Sequence, residues 1–193
     1  MICSISIIYS AFAALFQIDI KRIIAYSSIS HMGISTIGVF LQNYEGLASG
    51  IFSMFTHGLI SAGLFFCVGV IYDRYSSRII LYYGGLNLLM PIFDCCFFIF
   101  CLANISFPGT CGFSSEFVLL LSIYNKSFVL LLITIFGIYF IGVYVFWMYC
   151  RIMFGSINRD FIKFVSDLSI REFFVCFFLI FFIFYFGVYV SVY

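Results

Sequence analysis

Apolar runs of roughly one membrane thickness follow one another along the whole chain, parted by short polar stretches. Seven segments stand out: 2–17, 23–41, 47–72, 91–107, 112–124, 128–153 and 173–192. A helix rises about 1.5 Å per residue, so about 20 apolar residues cross about 30 Å of hydrocarbon. The runs are continuous and do not alternate, which argues against barrel strands. A bilayer offers no partner to unpaired backbone groups, and that favours helices. The pattern predicts an all-α fold, a polytopic transmembrane helix bundle forming one membrane domain over 1–193.

The interruptions carry information of their own. Pro108-Gly109-Thr110-Cys111-Gly112 falls inside an apolar stretch. Proline lacks a donor and clashes with the preceding turn, and glycine adds freedom, so a broken helix is expected there. Gln42 to Gly46 and Asn125-Lys126 read as tight connections. The 73–85 and 154–171 stretches are polar and basic. If the segment after Pro108 crosses on its own, those two stretches lie on opposite faces, and the positive-inside rule fixes no orientation.

Composition sharpens the class. Hydrophobic residues make up 65% and charged residues only 9%, with net charge +1, so nucleic acid is not an expected partner and membrane lipid is. The eight cysteines form no CxxC, and the two histidines sit in different segments, so no metal site is expected. Met1 leads straight into an apolar run without a basic n-region, so no cleavable signal is expected. The 29 Phe and 14 Tyr fit the bias of an AT-rich organelle genome.

Few ionisable residues sit within the apolar segments, and a charge at membrane depth costs about 2.5–3.5 kcal/mol on insertion scales. Lys21 and Arg22 follow Asp19. Arg22 reads as an interfacial side chain reaching for water. Lys21 reads equally as an interfacial partner of Asp19 or as a buried, proton-exchanging amine. His31 and His57 are each alone on their helices, so each reads as an interhelical hydrogen bonder or as a proton carrier. Ser27, His31 and Ser35 share one helix face, which suggests hydration beside His31. Glu116 is the sharpest residue: a lone carboxylate just after the break, either a proton-loadable site or an N-terminal cap of the new helix. Asn104 is a candidate for hydrogen bonding across helices, Asp94 reads as interfacial, and Tyr144, Trp147 and Tyr149 read as interfacial anchors.

Several stretches carry a resemblance: DIKRIIAYSSISHMG at 19–33, THGLISAGLFFCVGVIYDR at 56–74, YYGGL at 82–86, LANISFPGT at 102–110 and SSEF at 114–117. FVSDLSIREFF at 164–174 echoes an FSDL-x-x-REFF pattern. The chain resembles the antiporter-like subunits of respiratory NADH:quinone oxidoreductase (complex I), most closely the subunit 4 type, over nearly its whole length. The sister subunits 2 and 5 commonly carry lysine at the broken-helix position, where this chain has Glu116.

The resemblance implies the second half of a fourteen-helix, inverted-repeat antiporter-like fold, beginning at what would be the eighth helix. It implies proton translocation coupled to quinone reduction in the mitochondrial inner membrane, with Lys21 as the central lysine of a buried axis, His57 as relay and Glu116 as terminal proton site. His31 matches the family's SHM element, with its role left open. No cofactor is expected on this chain; NADH, FMN, iron–sulfur clusters and ubiquinone would act elsewhere in the complex. Expected partners are other membrane-arm subunits and a separate polypeptide carrying the first half of the fold. A subunit of a multisubunit cation/proton antiporter, or a non-pumping structural subunit of complex I, are the alternatives.

Overall fold

The computed structural model describes residues 2–156 and 166–189. Seven α-helices are present among them: α1 (Ile2–Leu15), α2 (Ile20–Phe40), α3 (Tyr44–Tyr75), α4 (Pro91–Asn104), α5 (Cys111–Tyr124), α6 (Phe128–Met153) and α7 (Ile170–Tyr189). Short 3-10 turns cover Ile80–Tyr82 and Leu86–Leu88. Helices α2, α3, α6 and α7 are each long and apolar enough to cross a membrane. Most boundaries fall within three residues of expectation. The larger shift in meaning is at α2, which begins at Ile20 rather than 23 and so takes Lys21 and Arg22 into its first turn. The expected extension of the last helix over 190–192 lies outside the described residues, as does 157–165 of the hydrophilic stretch.

Helices α1, α2 and α3 run antiparallel in turn. Ser10 of α1 meets Ser30 of α2 at 2.7 Å, and Ser35 of α2 meets Ser53 of α3 at 2.6 Å. Lipid tails are as apolar as the side chains they replace, so close backbone approach at small residues does much of the packing in such a bundle. Ile7, fully buried, illustrates this: it lodges between Gly33 of α2 and Gly137 of α6, where a Cβ on either glycine would collide with it.

The break in the fourth apolar segment is wider than expected and begins earlier. Helix α4 stops at Asn104, the chain turns through 105–110, and α5 resumes at Cys111. Ser106 and Gly109 take positive φ, 60° and 97°. For Gly109 that conformation carries little strain, and Pro108 beside it cannot continue a helix. Each half has 14 residues, about 21 Å, too short to cross alone. Helices α4 and α5 touch little, unlike the paired α1 and α2, so they continue one another as one interrupted crossing.

This corrects the expectation about faces. Helices α3, α6 and α7 and the outer half α4 meet at one end of the bundle. There Ile20 N–H donates to Arg78 O at 3.0 Å and Ile80 N–H to Ile18 O at 2.9 Å. Gly84 lies against Ser156 O, and Tyr149 O–H donates to Asp94 at 2.7 Å. Lys21, Arg22, Arg74, Arg78, Arg151 and Arg171 all belong to this end. Of the described basic residues only Lys126 lies at the other.

The echo motif accounts for part of that end. Arg74, in the last turn of α3, grips both carboxylate oxygens of Glu172 (2.8 and 3.5 Å) and the carbonyls of Ser166 and Asp167. Asp167 accepts from the backbone N–H of Ile92 (3.0 Å) and Phe93 (3.2 Å). It thereby caps α4 from a distant segment, since Met90 offers no side-chain cap and Pro91 has no N–H. Asp167→Ala is expected to destabilise this end by about 1 kcal/mol, seen as a lowered thermal midpoint of the purified protein. An unchanged midpoint would show that solvent satisfies these donors equally well.

Candidate functional site

Three helices place their ionisable side chains at one buried point. His31 is the twelfth residue of the 21-residue α2, about 16 Å along the axis from its beginning. Its Nδ1 lies 2.9 Å from Glu116 Oε1, and both residues are nine-tenths or more buried. His57 of α3 stacks on His31, ring centroids 5.0 Å apart and planes 29° from parallel. Hydroxyls complete the surroundings. Ser35 O–H donates to His31 O at 2.9 Å, and Thr56 lies 3.4 Å from Ser115.

These side chains surround a small cavity together with Asn104, Ser106 and Gly112 of the broken segment. The space at its centre is about 10 Å³, roughly the room one water needs. The break therefore brings the end of α4 and the first turns of α5 onto the cavity wall. The polar groups there are those a helix interruption needs at membrane depth.

The geometry has a chemical consequence. An imidazole and a carboxylate in direct contact can hold a shared proton on either atom, and a second imidazole stacked on the first offers the next stop. Removing one member of a buried pair leaves an unpaired polar or charged group, at a cost of about 3–5 kcal/mol. The pair consequently has the chemistry to hold a proton, and it ties α2 to α5.

The expected site residues fare differently. His31, His57 and Glu116 come together. His31, given an open role from sequence, is the direct partner of Glu116; the two are 85 residues apart and no spacing rule connects them. Glu116 is the sixth residue of α5, beyond its first turn, and Thr110 occupies the N-cap position, so the capping reading is corrected. Pro108, Gly109 and Gly112 lie at the break. Lys21 is not brought to the cluster. It is exposed at the second position of α2, and Asp19 pairs with Arg22 at 3.0 Å rather than with Lys21. The buried-lysine expectation is therefore corrected: the chain turns at 16–19, so apolar sequence on both sides of Lys21 reflects two antiparallel helices and not a helix centred on it.

Tyr144 is corrected too. It is fully buried rather than an interfacial anchor, while Trp147 is exposed. Asp94 is held by Tyr149. Among the described residues no three His, Cys, Asp or Glu side chains converge as a metal-ligand set.

Residues 1–142 match the family of membrane-spanning domains described as NADH:quinone oxidoreductase/Mrp antiporter. The chain belongs to that family. Chain 4 of the NADH-ubiquinone oxidoreductase of Acanthamoeba castellanii is 44% identical over 176 residues, covering 91% of this chain and 35% of that protein. This chain thus spans about a third of the length of the curated relatives it matches. Among solved structures, a chain of respiratory complex I from Thermus thermophilus with bound NADH is similar at TM-score 0.88 and 28% identity, over 97% of this chain and 39% of that one. A chain of the membrane-bound sulfane sulfur reductase, an archaeal respiratory membrane complex, is similar at TM-score 0.90 and 27% identity, over 96% of this chain and 31% of that one. Family membership and architecture agree: an all-α, antiporter-like membrane bundle with an interrupted helix.

Proposed function

We propose that this chain is a proton-translocating part of the membrane arm of respiratory complex I, corresponding to the later part of subunit 4. The observation that carries the reading is the buried contact of His31 with Glu116, with His57 stacked beside them at a helix break. Glu116 is the proton-loading site, His31 its immediate exchange partner and His57 the next relay. Lys21, exposed at a helix start, is left outside this path, and the central lysine of the axis is supplied by another part of the assembly.

Counting α4 and α5 as one crossing gives five crossings over α2 to α7 among the described residues, with the 14-residue α1 packed ahead of them. In a fourteen-helix frame closed by α7, α1 then takes the ninth place and not the eighth. The chain is placed in the mitochondrial inner membrane, among other membrane-arm subunits and lipid. The basic end, carrying Lys21, Arg22, Arg74, Arg78, Arg151 and Arg171, faces the matrix by the positive-inside bias. The counterpart of the relatives' remaining length is placed on a separate polypeptide packed against α1 and α2. NADH oxidation and quinone reduction, with FMN and iron–sulfur clusters, belong to other subunits. This chain answers them through charge and conformation.

The test is isolation of the native assembly in mild detergent through a tag on this chain. The expected result is NADH:quinone reductase activity in the tagged fraction, together with a distinct polypeptide matching the first half of subunit 4. A fraction that lacks NADH oxidation but exchanges cations for protons in vesicles would replace this reading with the antiporter one. Both halves found on one polypeptide would remove the split. Within the intact assembly, His57→Gln is expected to lower proton pumping per NADH about tenfold or more, in the range that a positioned proton carrier contributes. Full pumping in that variant would take His57 out of the path.

A further inference from the structure

Asn104 is the last residue of α4, 1% exposed, and lines the same cavity as His57 and Glu116. Neither its amide oxygen nor its amide nitrogen has a hydrogen-bond partner in the protein, so the choice between the two amide orientations changes nothing. The Nε2 of His31, on the same cavity, is likewise buried without a protein partner. Burying an amide unpaired is costly, and native proteins meet such a demand with an ordered water where a polar space admits one. The space here is about 10 Å³, matching roughly one water.

We propose that Asn104 fixes an ordered water at the helix break that joins the histidine pair to the turn beyond α4, making Asn104 a positioning residue for proton transfer. This rests on the proton-relay reading of His31, His57 and Glu116. The amide itself takes up no proton. It donates through Nδ2 to the water oxygen, so that the water's own hydrogens point to acceptors: a ring nitrogen of a neutral histidine or a hydroxyl of the break. A proton leaving a histidine ring enters that water, and one of the water's hydrogens moves on, so each transfer returns the water to its starting composition. The end of α4 is where such a group is needed. The helix stops at Asn104, and Ser106, with φ of 60°, turns the chain over the cavity wall.

The test uses the assembled complex. Asn104→Leu keeps the number of heavy atoms, enlarges the side chain and removes both polar atoms, whereas Asn104→Gln also enlarges the side chain but keeps the amide and its N–H donor. Pumping per NADH is expected to fall roughly tenfold in N104L and to stay within about twofold of the parent in N104Q. A purely structural amide would make the two variants fail alike, or neither, and either pattern overturns the proposal. Should N104L not assemble, a structure of the native complex at water-resolving resolution decides: a water within hydrogen-bond distance of the Asn104 amide is expected, and an amide bonded only to protein or lipid overturns it. Parallel measurement of Glu116→Gln keeps the two ideas apart. Loss in E116Q with normal N104L removes only the role of Asn104, and normal pumping in both removes the relay reading itself.

Discussion

Glu116→Gln is expected to reduce proton pumping per NADH by at least tenfold while leaving the amount of assembled complex close to normal. The change is nearly isosteric. Glutamine at 116 can still face His31 Nδ1 across the 2.9 Å contact, donating through its amide or accepting through its oxygen, so the tie between α2 and α5 persists. It cannot load or release a proton. A positioned acid or base contributes roughly 10²–10⁴-fold to a proton transfer, so its removal outweighs any small packing change. The comparison with Glu116→Leu separates the two roles. Leucine leaves His31 buried without its partner, and loss of one member of such a pair costs about 3–5 kcal/mol. Assembly as well as pumping is then expected to fail. The measurement is proton uptake into sealed vesicles alongside NADH oxidation, with complex abundance read on native gels. Normal pumping by E116Q would remove the carboxylate from the mechanism, and poor assembly of E116Q would recast it as structural.

Much of this architecture is legible in the chain because membrane depth is a severe filter. Continuous apolar runs announce helices, and Pro108 with Gly109 and Gly112 announces an interruption. The two histidines and Glu116 stand out because nothing else of their kind lies near them. What local reading cannot supply is which helices touch. His31 and Glu116 are 85 residues apart, and only the packing of α5 against α2 and α3 makes them one site. Lys21 shows the converse error. It lies between two apolar segments, but the chain reverses at 16–19, so flanking hydrophobicity says nothing of its depth. Counting failed for a similar reason. Two helices of 14 residues look like two crossings until each is seen to be about 21 Å long and joined to the other through the turn at 105–110. The orientation bias followed from that count: with one interrupted crossing, the basic stretches fall at the same end. Asp167 capping α4 and Arg74 gripping Glu172 are long-range ties: the motifs that carry these residues are visible in the chain, but their pairing is not.

Gly187→Val is expected to be the most damaging substitution far from any ionisable group. A Cβ at Gly187 of α7 would collide with Gly109 O and come within 2.7 Å of Thr110 C and 2.9 Å of Cys111 N. Helix α7 therefore meets the turn between α4 and α5 backbone against backbone. A flexible side chain could swing away from an added methyl, but this turn is held by the Thr110 O–H bond to Phe107 O at 2.8 Å and by the start of α5. Overpacking usually costs about 1–3 kcal/mol, and a backbone obstacle places this case at the upper end. In a bilayer the cost is felt in full, because close packing at small residues is what holds neighbouring helices together where lipid competes equally for apolar surface. Relief requires α7 to move outward or the turn to move inward, and the second shifts the start of α5 and with it Glu116. Pumping should therefore fall together with thermal stability, unlike the selective loss in E116Q. Gly69→Ala is the matched comparison, since an added Cβ there meets nothing within 4 Å. It is expected to be neutral or to stabilise α3 by up to about 1 kcal/mol through helix propensity. Equal behaviour of G187V and G69A would show that α7 does not rest on the break, and would free the turn to move independently of it.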